Sequence, residues 1–96
     1  MVDHLVFFAV REDAAPEDVD DLLSSIQDLR HSVDSVVDLS VGEDFSGRAG
    51  EYTHALFTRF EDRAGLQEYL GHPDHLVVVE KLEQHTTGRI AADYEF

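Results

Sequence analysis

Strand-like and helix-like patterns alternate along this chain in the order βαββαβ, which predicts an α+β fold with helices laid on a sheet. Three observations carry that prediction. "VDHLVFFAVR" (Val2 to Arg11) is β-branched and aromatic and apolar on both alternating faces. Val19, Leu22, Leu23, Ile26 and Leu29 then recur at the three- and four-residue spacing of a helix. Finally, "VDSVVDLSVGEDF" and "EYTHALFTRFE" read as two strands joined by a glycine-containing loop.

Each element has its own local reason. The first strand is apolar on both sides and ends at the polar, proline-containing "EDAAPED". Pro16 suits the first turn of the first helix, whose outer face carries Glu17, Asp18, Asp20, Asp21, Ser24, Ser25 and Asp28. In the second strand Val37, Leu39 and Val41 alternate with Asp38, Ser40 and Gly42. The loop "DFSGRAGE" leads to the third strand, Glu51 to Glu61, so the pair reads as a long hairpin. A short helix is expected from the N-cap Asp62 to Leu70, ending at Gly71, and another from Pro73 to about His85, broken by Gly88. "GRIAADYEF" reads as a fourth strand.

In one domain, residues 1–96, this order reads as a ferredoxin-like, split-βαβ sandwich. The first and third strands are expected as parallel neighbours at the sheet centre, with the helices on one face. The other face is also apolar, so a second copy of the chain is expected to cover it. No internal repeat, linker or low-complexity segment is visible.

Composition excludes several roles. The chain is 43% hydrophobic and 29% charged, a globular balance. Its net charge of −14, from 21 acidic residues against six arginines and one lysine, opposes nucleic acid and anionic membrane partners. Such a surface is also the composition of halophilic proteins, in which high salt screens the carboxylates; the alternative is an ordinary acidic protein with Asp-rich helix faces. Without cysteine, disulfides and thiolate metal sites are impossible. The apolar run Leu5–Val10 is too short for a signal or a membrane span, so a cytoplasmic location is expected. No arginine cluster or cofactor loop is visible, which gives a heme- or flavin-linked monooxygenase no support, and no cofactor is expected.

The six histidines, with one tyrosine, hold the candidate chemistry. With parallel strands, His4 and His54 would stand side by side at one end of the sheet. Parity places His4 with Val6 and Phe8, and His54 with Leu56. His75 falls in the first turn of the helix opened by Pro73, where the helix dipole disfavours its protonation and leaves a neutral imidazole as a base. Tyr69 can donate its hydroxyl to a developing oxyanion. The plainer reading makes Tyr69 a core residue with a wet hydroxyl and His72 a helix cap. A three-histidine zinc site from His4, His54 and His75 lacks any supporting metal-ligand spacing, so no metal is expected. For His31 and His85, in the last turns of their helices, the dipole is explanation enough.

The segments "HLVFFAVRED", "VVDLSVGEDFS", "YTHALFTRFED", "YLGHPDH" and "ADYEF" together resemble the stress-responsive dimeric α/β-barrel family, Dabb, over nearly the whole length. The resemblance implies a protomer whose open sheet packs on that of a second copy to form a homodimeric barrel. It also implies a pocket between sheet and helices. By its likeness to a plant polyketide cyclase, Tyr69 and His75 take the catalytic positions, and His4 and His54 line the pocket. The expected ligand-binding set is His4, Val6, Phe8, His54, Leu56 and Val79, around a small hydrophobic or polyketide-like molecule, although "LVVVEKL" after the join departs from the glycine and aromatic residues of the cyclase helix and brings branched side chains toward the pocket. Other members resemble plant stress proteins without demonstrated chemistry, which keeps a non-enzymatic scaffold as the alternative.

Overall fold

The patterns above become four strands and three helices: β1 (Val2–Val10), α1 (Pro16–Ser32), β2 (Asp38–Glu43), β3 (His54–Phe60), α2 (Arg63–Gly71), α3 (Pro73–His85) and β4 (Thr86–Glu95). This is a computed structural model, and it describes all 96 residues. The sheet order is β2-β3-β1-β4 and every pairing is antiparallel. The chain therefore has the ferredoxin-like α+β arrangement.

The expected parallel pairing of the first and third strands is wrong, for a topological reason. The crossover helix α1 brings β2 back parallel to β1, and the hairpin reverses β3, which inserts between them. A strand between two parallel strands, and paired with both, must here run against them. His4 consequently lies opposite Thr58, and His54 opposite Phe8. The two histidines share a face but stand at opposite ends of it.

That face holds the core. Phe8, Leu56 and Phe60 from the sheet meet Leu22, Ile26 and Leu29 of α1, Leu66 and Tyr69 of α2, and Val78 and Leu82 of α3. The α1 contribution repeats at the helical period read from the sequence, and Leu22 and Ile26 are fully buried. α2 starts where Asp62 accepts a hydrogen bond from the Gly65 amide at 2.9 Å. α3 starts at Pro73, with the His72 ring accepting from the Asp74 amide at 3.1 Å. His72 is thus a helix cap. Thr86 opens β4 directly after His85, so α3 ends before Gly88, which lies inside the strand.

The opposite face of the sheet has no covering element within the protomer. Phe7, Ile90 and Tyr94 are exposed there. One polar cluster interrupts it. Arg59 makes two hydrogen bonds to Asp3, at 2.7 and 2.9 Å, and the Tyr94 hydroxyl donates a third at 3.1 Å. The Arg59 guanidinium holds the Asp3 carboxyl below the usual carboxylate range. It also stacks over the rings of Phe57 and Phe96.

Asp62→Ala is expected to lower the free energy of unfolding by about 1 kcal/mol in urea denaturation, because an orphan amide loses its acceptor. Asp62→Ser is expected to retain most of it. Equal losses in the two variants would show that the side chain does not act as a cap.

Candidate functional site

Two helix ends meet over one end of the sheet, and this junction gathers the polar groups. Tyr69 follows Leu66 by three residues, so both point from α2 into the sheet. Its ring is completely buried against Phe60, His4 and His75, at centroid separations of 5.1, 5.9 and 4.4 Å. Burial pushes the Tyr69 hydroxyl up from the ordinary phenol value. Thr58 is close enough to oppose that shift, yet the two hydroxyls do not reach hydrogen-bond geometry. Both are buried and have no partner.

His75 sits in the first turn of α3, with Nδ1 at 3.2 Å from the Leu70 carbonyl oxygen. A carbonyl only accepts, so Nδ1 carries the proton and Nε2 keeps its lone pair when the ring is neutral. Burial lowers the pKa of His75; the charges of His4, Arg89 and His72 act in the same direction, and the Leu70 carbonyl opposes them. A neutral imidazole with a free Nε2 is therefore the resting form near neutral pH.

His4, nearly buried on β1, is held from the other side. Its Nδ1 contacts the carboxylate of Asp93, its cross-strand partner on β4. Asp93, His4, Tyr69 and His75 thus form a continuous chain of groups from the sheet edge into the core. This arrangement can orient a carbonyl-bearing molecule with a hydroxyl donor and remove a proton with a neutral base.

The remaining candidates divide. Val6, Phe8 and Leu56 are buried in the core on the helix side of the sheet, and Val79 is half-buried on α3. His54 does not join Tyr69 and His75. It stacks on Phe8 at 5.2 Å and lies 2.8 Å from the Thr53 hydroxyl. Four residues of extended β3 separate it from Thr58, about 13 Å. The same separation defeats a site built from His4, His54 and His75, and no cluster of three or more metal-ligating side chains occurs.

None of the principal surface grooves is lined by His4, His54, Tyr69 or His75. One of about 290 Å³, between α2 and β4, reaches the cluster only through Asp93, beside Arg63, Leu66, Gln67 and Glu95. Sequence reasoning missed Thr58 and Asp93. Parity along "HALFT" places Thr58 on the face of His54 and Leu56, but Asp93 needed the β1–β4 register.

Comparison with known proteins fits this geometry. The family model described as the stress responsive A/B barrel domain matches residues 2–96. The stress-response A/B barrel domain-containing protein DABB1 of Arabidopsis thaliana is 28% identical over 98 residues, covering 98% of this chain and 46% of its own. The chain spans less than half the length of the curated relatives it matches. Among solved structures, a dimeric ferredoxin-like protein of unknown function from Bacteroides fragilis aligns with a TM-score of 0.83 and 24% identity, over 99% of this chain and 95% of that one. A hydroxynitrile lyase from Passiflora edulis aligns with a TM-score of 0.88 and 18% identity, over 97% and 90%. With a family model matched from Val2 to Phe96, this chain belongs to the stress-responsive A/B barrel domain family.

Proposed function

We propose that each protomer binds a small carbonyl-bearing molecule beside Tyr69 and His75 and can perform cyclase-like acid/base chemistry on it. His75 Nε2 would take a proton from the carbon next to the carbonyl, and the Tyr69 hydroxyl would donate to the oxygen as it becomes an enolate. The Asp93 carboxylate would hold His4 as a further polar wall. The observation that carries this reading is the pair of buried hydroxyls, Tyr69 and Thr58, without partners. A core built for folding alone gains from apolar groups at such positions, because each unsatisfied hydroxyl costs about 1–3 kcal/mol. A bound oxygen would satisfy them. The fold-level likeness to a hydroxynitrile lyase is compatible with catalysis on this scaffold.

The same proposal includes self-association. The exposed Phe7, Ile90 and Tyr94 on the uncovered sheet face favour a second copy there, and several structural neighbours are described as dimeric. A second reading, a scaffold without chemistry, is favoured by the complete burial of Tyr69. Native mass spectrometry in high salt is expected to show a dimer; a monomer alone would defeat both the barrel and the scaffold.

Tyr69→Phe separates the two functional readings. If the hydroxyl is kept for a ligand, the variant is expected to be as stable as the parent or more stable by about 1 kcal/mol, with ligand response lost. A loss of 1 kcal/mol or more in thermal or urea denaturation would make the hydroxyl a structural bond.

Titration gives a further expectation. Burial lowers both His75 and His54 below the ordinary imidazole value of 6.5. The unfolded chain therefore binds protons that the folded one refuses as the pH falls below about 6.5. Their effect on stability is neutral above that pH and increasingly unfavourable below it. The fold should weaken on acidification, and His75→Asn should flatten the decline. An NMR midpoint for His75 above 6.5 would contradict the neutral-base assignment.

A further inference from the structure

The sheet face turned away from the helices is patterned by size and by charge. Strand register sorts it into rows that cross from β2 to β4. The first row runs Asp38, Arg59, Asp3, Tyr94; the next Ser40, Phe57, Leu5, Ala92; the third Gly42, Ala55, Phe7, Ile90. In the third row the small residues stand on the β2 side and the large ones on the β4 side. Phe7 and Ile90 are exposed, and a Cβ added at Gly42 would meet nothing within 4 Å. A glycine inside a strand packs nothing itself and marks a place that another chain can approach closely. In the first row Arg59 spends two N–H donors on Asp3, and its others bond no acceptor.

Resting on the self-association proposed above, we infer that two copies pack these faces about a twofold axis running along the strands, and that the Arg59–Asp3 pair with Phe7 and Ala55 enforces this orientation. Two sheets stacked face to face admit two such axes, one along the strands and one across them. Rotation about the first sets every row opposite its own counterpart with the strand order reversed, so β1 of one copy lies over β3 of the other. Phe7 then faces the partner's Ala55, and Arg59 faces the partner's Asp3. Symmetry repeats each contact, so large meets small twice and positive meets negative twice. Between them Phe57 lies over the partner's Leu5, apolar on apolar. Rotation about the second axis exchanges the first row with the third. It drives the Arg59–Asp3 pair onto Ala55 and Phe7, where the unused donors of the guanidinium are buried against apolar groups. The face therefore complements itself in one orientation and opposes itself in the other.

Two exchanges in the full chain test the orientation. Ala55→Phe is expected to weaken self-association about a hundredfold or more in analytical ultracentrifugation, because symmetry repeats the overpacking. Adding Phe7→Ala to the same chain swaps knob and hollow and is expected to restore the dimer; a double variant as weak as the single one overturns the pairing. The second exchange joins Asp3→Arg to Arg59→Asp, which reverses the ion pair within each chain and also across a homodimer of the variant. Mixed with the parent, the variant sets arginine over arginine and aspartate over aspartate. Native mass spectrometry of the mixture is expected to show both homodimers and almost no mixed dimer. Mixed dimers at their statistical share overturn the orientation and leave self-association standing. A parent that stays monomeric at every salt concentration ends both readings. If the charge-reversed chain fails to fold, the exchange of Phe7 and Ala55 decides alone.

Discussion

The antiparallel insertion of β3 between β1 and β2 is the constraint on which the rest depends, because it sorts the side chains of four strands into rows across the helix-facing side. One row runs Leu39, Thr58, His4, Asp93; the next Val41, Leu56, Val6, Ala91; the third Glu43, His54, Phe8, Arg89. The middle of these three rows is apolar throughout, whereas the first and third mix polar side chains with Leu39 and Phe8, and Phe60 beside Val2 adds a further apolar row beyond the first. The helices then decide what each row does. The α2–α3 junction brings Tyr69 and His75 over the first row, where His4 and Thr58 wait, while His54 in the third row is left to stack on Phe8. A site in this protein is thus a row with a helix end above it.

Most of the fold was legible in the chain because its elements announce themselves locally. The α1 stripe from Leu22 to Leu29, the prolines at 16 and 73 and the cap at Asp62 each depend on neighbours a few residues away, and each appears where it was read. Strand direction is another matter. Nothing in "VDHLVFFAVR" or "EYTHALFTRFE" states which way one runs past the other; that comes from counting reversals through α1 and the hairpin. That count of reversals alone decides which end of the sheet His54 occupies.

The site was legible in part for the same reason. Tyr69 and His75 sit six residues apart across a single helix break, and their proximity is a local matter that the "YLGHPDH" join already implies. Asp93 and His4 meet across 89 positions of chain, and Thr58 enters only through register. A residue type as common as threonine gives no signal in a sequence; its burial without a hydrogen-bond partner does, in a structure.

The long exposed edge strand also bears on how copies of this chain tolerate one another in solution. β4 lies at the rim of the sheet, and a rim offers its unpaired backbone groups to any other strand that arrives. Within Thr86–Glu95 the uninterrupted apolar run is only Ile90 to Ala92, with Arg89 before it and Asp93 and Glu95 beyond. Those charges, and the mutual repulsion of two bodies each carrying −14, act as gatekeepers against edge-to-edge growth into fibres. Added salt screens the repulsion between whole molecules and leaves the local charges in place. Colloidal stability at high ionic strength then depends on three side chains of one strand, Arg89, Asp93 and Glu95.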